Sequence, residues 1–131
     1  MCHRAVYLAG AIDGLKSNKI DWRQQALEFF SKHGILCFNP RQAYSGFDHS
    51  TDHGLYIQAV NRVAVSQADV VLACLKHCSI GTAREIEIAR TAGKPVVAFD
   101  VPYSGAAFAD LFVCESLAEA LRRTLWLIEA V

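Results

Sequence analysis

Five short apolar runs alternate with helical patterns along this chain, and that alternation constrains its fold more than any other feature. Ala5 to Ala9 is an apolar run closed by Gly10. Asn18, with Asp21 three residues on, opens a helical pattern that reaches about Lys32. Trp22, Ala26, Phe29 and Phe30 are its expected apolar face, and Gly34 its expected cap. Ile35 to Phe38 reads as a second strand, stopped by Asn39-Pro40. Leu55 to Gln67 carries Ile57, Val60 and Ala64 at helical spacing. Asp69 to Leu75 is nearly all apolar, as a strand covered on both faces must be. Thr82 to Ala92 reads as the third helix, Val96 to Phe99 as the fourth strand and Leu111 to Val113 as the fifth. Ser116-x-x-Glu119 is a capping box ahead of a last helix striped by Leu117, Leu121, Leu125 and Ile128. Such alternation predicts an α/β fold: a three-layer sandwich around a five-stranded parallel sheet, flavodoxin-like or Rossmann-like. At 131 residues and 53% hydrophobic content, the expectation is one domain spanning 1–131.

Thirteen basic and thirteen acidic side chains cancel, and no charge block or basic stripe appears. A nucleic-acid polymer or a membrane surface is therefore not an expected partner, whereas a small molecule is. The five cysteines are odd in number and show no framework spacing; Cys37 and Cys74 fall in strand-like runs and read as buried thiols. Cys74, His77 and Cys78 lie close together but lack a fourth ligand, so no metal site is expected. The start, Met1-Cys2-His3-Arg4, leads directly into a strand pattern, and no apolar run reaches the roughly 18 residues of a spanning helix. The expected compartment is the cytoplasm.

The third strand runs into Ser79-Ile80-Gly81-Thr82-Ala83-Arg84-Glu85. Ligands of open α/β sheets bind in the crevice outside the carboxyl ends of the strands. Gly81 permits close backbone approach, and the first amides of a helix form an anion site. A carboxylate, Glu85, sits one turn into that helix. Two readings compete for it. Thr82-x-x-Glu85 is a capping box, which would occupy Glu85 with the Thr82 amide. Alternatively the ligand has two ends, with a phosphate on the amides and an electrophilic carbon at Glu85. In the flavodoxin-like arrangement, Tyr7 and Gly10 from the first strand meet Ser79 to Glu85 at the switch point. The turn-rich Gly10-Ala11-Ile12-Asp13 lies beside them. Arg41 to Gly54, with Tyr44 and Phe47, reads as a lid loop, and Asp100 to Asp110 as a second loop containing Ser104.

Tyr7-Leu8-Ala9-Gly10, Ala68-Asp69-Val70-Val71-Leu72-Ala73, Gly81-Thr82-Ala83-Arg84-Glu85-Ile86 and Gly93-Lys94-Pro95-Val96 come in the order and spacing of the nucleoside 2-deoxyribosyltransferase superfamily. The chain resembles that superfamily from about Val6 to Val113. The resemblance implies Glu85 as nucleophile on the anomeric carbon and Tyr7 as the residue that orients it. Six residues before the nucleophile, base-swapping transferases carry aspartate and 5'-monophosphate hydrolases carry serine; this chain has Ser79. That points to the N-glycosidase branch, which releases free base and sugar 5-phosphate from a ribo- or deoxyribonucleoside 5'-monophosphate. A helix start is expected to favour the ionised Glu85 by the usual ~0.3–1 kcal/mol.

The implied substrate-binding set is Gly10, Ala11, Ile12, Asp13, Trp22, Phe47, Asn61, Ser79, Gly81, Thr82 and Ser104. Trp22 or Phe47 would stack on the base, and the Asn61 amide would read a base edge. Departures are specific. Ala11 and Asp13 stand where the hydrolases carry a serine and an arginine for phosphate, and Ala109 where a neighbouring subunit lends a serine, for which Ser104 is the candidate replacement. Asn61 stands for a usual aspartate, and Glu87, for a usual glycine, reads as a surface residue or a base contact. The resemblance implies no cofactor and no metal, and a homodimer or larger homo-oligomer with shared active sites. A deoxyribosyltransferase that swaps bases, a phosphoribohydrolase sharing Gly-Thr-x-x-Glu, and a nucleotide-binding module without turnover are the alternatives.

Overall fold

The computed structural model describes residues 4–11, 22–40, 51–77, 79–102 and 110–130, without the side chains of 51–53. Along them run β1 (Ala5–Ala9), α1 (Trp22–Ser31), β2 (Leu36–Phe38), α2 (Thr51–Gln67), β3 (Val70–Cys74), α3 (Ile80–Thr91), β4 (Val96–Phe99), β5 (Phe112–Val113) and α4 (Leu117–Ala130). All strand pairs are parallel, in the order β2-β1-β3-β4-β5. This is the flavodoxin-like order, with its switch point between β1 and β3.

The period of two along each strand divides the core in half. Val6, Leu8, Val70, Leu72, Val97 and Phe99 point to one face, where Ala26 and Phe30 of α1 and Ala120, Leu121 and Ile128 of α4 cover them. Tyr7, Ala9, Val71, Ala73, Val96 and Ala98 point to the other, where Val65 and Ala68 at the end of α2 and Ala89 of α3 close the layer. The three-layer expectation therefore holds, and the parity of each strand decides which helices a side chain meets. Tyr7 is sent to the α2–α3 side.

Helix ends follow local chemistry. Gly34, at φ +69, closes α1: its amide donates to the Ser31 carbonyl (3.2 Å) and the Ile35 amide to the Phe30 carbonyl (3.0 Å). Gly93, at φ +74, repeats the arrangement after α3, with Gly93 to Arg90 (3.0 Å) and Lys94 to Ala89 (2.9 Å). Both are Schellman closures, whose left-handed residue glycine adopts without a Cβ penalty. At α4 the Ser116 hydroxyl accepts from the Glu119 amide (3.1 Å), as the capping box requires. The return arm differs: Glu119 Oε2 accepts from the Glu115 amide (2.8 Å). Asp69 has a structural task, because its Oδ2 accepts from the Ala5 amide and its own amide donates to the Ala5 carbonyl, both at 2.8 Å. That pair sets the β1–β3 register at the end remote from the crevice.

Several boundaries depart from the sequence reading, β3 among them, which is Val70–Cys74 rather than the expected Asp69 to Leu75. α2 begins at Thr51, so the last four residues of the expected lid loop are its first turn; residues 41–50, including Tyr44 and Phe47, lie outside the described residues. α3 begins at Ile80 rather than Thr82. β2 and β5 are each one residue shorter than expected at their start. The buried face of α1 is Arg23, Ala26 and Phe30, with Trp22 and Phe29 only half-buried. Among the described residues, no helix is long and apolar enough to cross a membrane.

Candidate active site

The chain leaves β3 at Cys74 and enters α3 through Ser79, whose extended backbone (φ −88°, ψ 165°) is that of an N-cap. The Ser79 Oγ accepts from the Thr82 amide (3.1 Å), and the two hydroxyls share a hydrogen bond of 2.9 Å. The Ala83 amide donates to the Ser79 carbonyl (3.0 Å), the first turn of the helix. This overturns the capping box placed on Thr82 and Glu85. Thr82 sits three positions inside the helix, buried, with its hydroxyl on Ser79, and Glu85 lies a further turn on. The cap shifted because Ser79 itself offers a better-placed oxygen, three residues before an amide that needs one.

Glu85 is thereby released for another task. It shares the inward stripe of α3 with Thr82, Ile86 and Ala89, at helical spacing i, i+3, i+4, i+7. A carboxylate on a packing stripe has to be accounted for, and its surroundings do so. The Tyr7 hydroxyl of β1 and, less strongly, the Arg23 guanidinium of α1 favour its ionised form. Tyr7 is fully buried, held by a parallel stack on Phe38 (ring centroids 5.3 Å apart, planes 11° apart). Among the described residues, Glu85 Oε2 is buried without a hydrogen-bond partner. Burial pushes the carboxyl up to about 7, against the opposing pulls of Tyr7 and then Arg23. The sequence expectation of a carboxylate kept ionised by the helix start is corrected: at this depth desolvation exceeds the local dipole.

Arg23 went unnoticed in the sequence and, among the described residues, is the largest fully buried side chain, at 1% exposure. Its Nη2 donates to the Gly10 carbonyl at 2.7 Å, and its guanidinium lies 5.0 Å from the Trp22 ring centroid. A Cβ on Gly10 would stand 3.1 Å from that Nη2 and 3.3 Å from the Trp22 ring, so glycine is what lets β1 end against α1. The available signal was spacing: Arg23 precedes Ala26 by three residues and Phe30 by seven, on the core stripe of the helix.

The structure thus gathers Tyr7, Gly10, Ser79, Gly81, Thr82 and Glu85 around the carboxyl ends of β1 and β3. Among the described residues, a Cβ on Gly81 would meet nothing nearer than the Ser79 Oγ, at 3.8 Å. Trp22 borders Gly10 and packs edge-on against Phe99 (5.2 Å). Ala11 follows Gly10, half-buried. Asn61 is buried on α2, which packs against α3 and β1. Ile12, Asp13, Phe47 and Ser104 lie outside the described residues. Glu87, the other carboxylate of α3, is exposed and pairs with Arg90 (2.6 Å), which also pairs with Asp110; it belongs to the surface.

Glu85, the Tyr7 side chain and the N-terminus of α3 lie at the switch point of the parallel sheet, where open α/β folds bind small molecules. The chain belongs to the nucleoside 2-deoxyribosyltransferase-like family, whose model matches residues 3–103. That membership makes glycosyl transfer or cleavage on nucleosides or nucleotides its class of chemistry. Among solved structures it is similar to the 2-deoxyribosyltransferase of Bacillus psychrosaccharolyticus (TM-score 0.70, 18% identity, 89% of this chain and 90% of that one). It is also similar to the CMP N-glycosidase BcmB of Clostridium botulinum (TM-score 0.61, 20% identity, 94% and 99%) and to BlsM (TM-score 0.65, 20% identity, 98% and 91%). At these identities the likeness is one of fold. No match emerges among curated protein sequences.

Proposed function

We propose that this protein cleaves the N-glycosidic bond of a nucleoside 5'-monophosphate, with Glu85 as nucleophile. The observation that carries the reading is the pairing of a neutral hydroxyl cap, Ser79, with a buried carboxylate two turns along the same helix. The outward amides at the start of α3 and the Ser79 hydroxyl suit a phosphate, which a carboxylate at the cap would repel. The two ends of the substrate then fall on two ends of one helix segment. In the first step a Glu85 oxygen bonds to C1' as the C1'–N bond breaks, its electron pair leaving with the base, which takes up a proton. In the second, water adds to C1', gives up a proton and frees the Glu85 carboxylate and sugar 5-phosphate. The Tyr7 hydroxyl keeps the carboxyl oriented in both steps. The similarity to a CMP N-glycosidase fits this branch; the similarity to a deoxyribosyltransferase keeps base exchange as the rival.

Ser79 tests the substrate class. Ser79→Asp preserves the cap, since aspartate caps as well as serine. It should therefore leave stability within about 0.5 kcal/mol while weakening 5'-monophosphate turnover by about tenfold or more, without harming any turnover of nucleosides. Base release followed by chromatography on paired nucleosides and monophosphates decides it. Equal losses on both substrates would remove the phosphate from the Ser79 site.

A homodimer belongs to the same proposal. Leu55 (67% exposed), Tyr56 and Val63 form an apolar strip along the outer side of α2, and Ile80, beside the Ser79 cap, is 82% exposed. A second copy seated there would shield the strip and approach the phosphate end of the site. Sedimentation at micromolar concentration should give a dimer, and Leu55→Glu a monomer. A monomeric parent chain would end the idea. Cys37, Cys74 and Cys114 are free thiols, as suits a reducing cytosol.

A further inference from the structure

We propose that the outer face of α4 is a contact between copies of this chain, in which two α4 helices lie antiparallel about a two-fold axis at Trp126. It is separate from the α2 contact and weaker. α4 covers the sheet face of Val6, Leu8 and Phe99, whereas Tyr7 and α3 lie on the other. The helix also falls past residue 103, where the family match ends. Glu119, Arg122, Trp126 and Glu129 recur at i, i+3, i+7 and i+10, so they form one stripe, opposite the buried Ala120, Thr124 and Ile128. Trp126 is 58% exposed, and the Arg123 guanidinium lies over its ring, 5.5 Å from the centroid. With Glu119, Arg122 and Arg123 it lines a shallow groove. On the edge strand β5, Phe112 is in register with Val97, hence on the α4 side of the sheet, and it too is exposed.

An exposed tryptophan bordered by arginine has the composition of an interface anchor. The charges select its occupant. Arg122 and Arg123 stand four and three residues before Trp126, and Glu129 three after it. Among the described residues, none of these three charges has an ion-pair partner within its own chain. A two-fold axis at Trp126 exchanges the two ends of the stripe, so each Glu129 meets the arginine pair of the other copy. A parallel pairing would set arginine on arginine and glutamate on glutamate, which like charges oppose. An antiparallel second copy is therefore the partner that neutralises the stripe while covering Trp126. One helix face and the rim of β5 make a small contact, and small contacts are weak. The α2 strip belongs to the opposite sheet face, so both contacts can form at once.

The test is sedimentation equilibrium from ~5 to ~500 μM, a range suited to a small, weak interface, with folding checked by circular dichroism. Leu55→Glu removes any α2 contact, so in it the α4 step reads as monomer to dimer, whatever species the parent chain forms at low concentration. In that background Trp126→Ala, Arg122→Glu and Glu129→Arg should each raise the dissociation constant about tenfold or more. Arg122→Glu combined with Glu129→Arg restores opposite charges across the axis and should return it to within about threefold of the starting value. Added salt should weaken the step as well. If Leu55→Glu does not fold, the same substitutions in the parent chain decide, read on its association above the low-concentration species. A mass that stays constant over the whole range, in the parent chain and in Leu55→Glu alike, overturns the proposal. So does a step that the single reversals leave unmoved, or one that the double reversal fails to restore.

Discussion

Replacing Glu85 by glutamine should lower base release on the order of 10³-fold or more while leaving substrate binding intact. The expectation follows from what else Glu85 does, which is little. It does not cap α3, since the Ser79 hydroxyl holds the Thr82 amide. Among the described residues it makes no surface ion pair of the kind Glu87 makes with Arg90. Its Oε2 is buried without a partner among the described residues. Glutamine matches its shape and still accepts from Tyr7, but it cannot bond covalently to C1' and leave again as a carboxylate. Base release measured on a panel of nucleosides and 5'-monophosphates, beside equilibrium binding of the same compounds, separates the possibilities. Release from monophosphates alone, lost in the variant, supports the glycosidase. Release from nucleosides alone, accelerated by a second free base, would identify a transferase. Binding without release from any compound would leave a nucleotide-binding module, and release within tenfold of the parent would remove Glu85 from the chemistry.

The same substitution should stabilise the protein at alkaline pH. Burial raises the Glu85 carboxyl from 4.5 to about 7, so between those values the folded protein binds more protons than the unfolded chain. Stability from this group is fully present below about 4.5 and is lost as pH rises through about 7. The gap corresponds to up to about 3 kcal/mol. Glutamine is neutral at every pH and escapes the loss. Glu85→Gln should therefore melt later than the parent at pH 8, on the order of 10 °C for a domain of this size, with the difference closing toward pH 5. Thermal unfolding at both pH values reads it directly. A variant less stable than the parent at pH 8 would mean that Tyr7 and Arg23 outweigh burial. A site that gains stability by losing its reactive group is one held in a strained electrostatic state for function.

How much of this was legible beforehand follows from the range of each interaction. The strands could be read because burial on both faces demands an unbroken apolar run: in β1, Val6 and Leu8 face one helix layer and Tyr7 and Ala9 the other. The helix ends at Gly34 and Gly93 could be read because a Schellman closure involves only a few neighbouring residues. The switch-point location of Tyr7, Gly10 and Ser79 followed from the strand order that the alternation implies. The capping of α3 could not be decided in the same way. Ser79 and Thr82 are both good caps in sequence, and the choice depends on the backbone angle at which the chain leaves β3.

Composition and periodicity by themselves determined a parallel α/β sandwich, its element order and the helix that carries the Glu85 carboxylate. Only the tertiary structure decided that carboxylate's state. Arg23 stands 62 residues before Glu85, and Tyr7 farther still, so no local pattern links them. Their convergence, and the loss of water that pushes Glu85 up to about 7, exist only once β1, α1 and α3 have packed around one crevice. Propensity and capping act between neighbours along the chain, whereas desolvation and Coulomb forces act between neighbours in space.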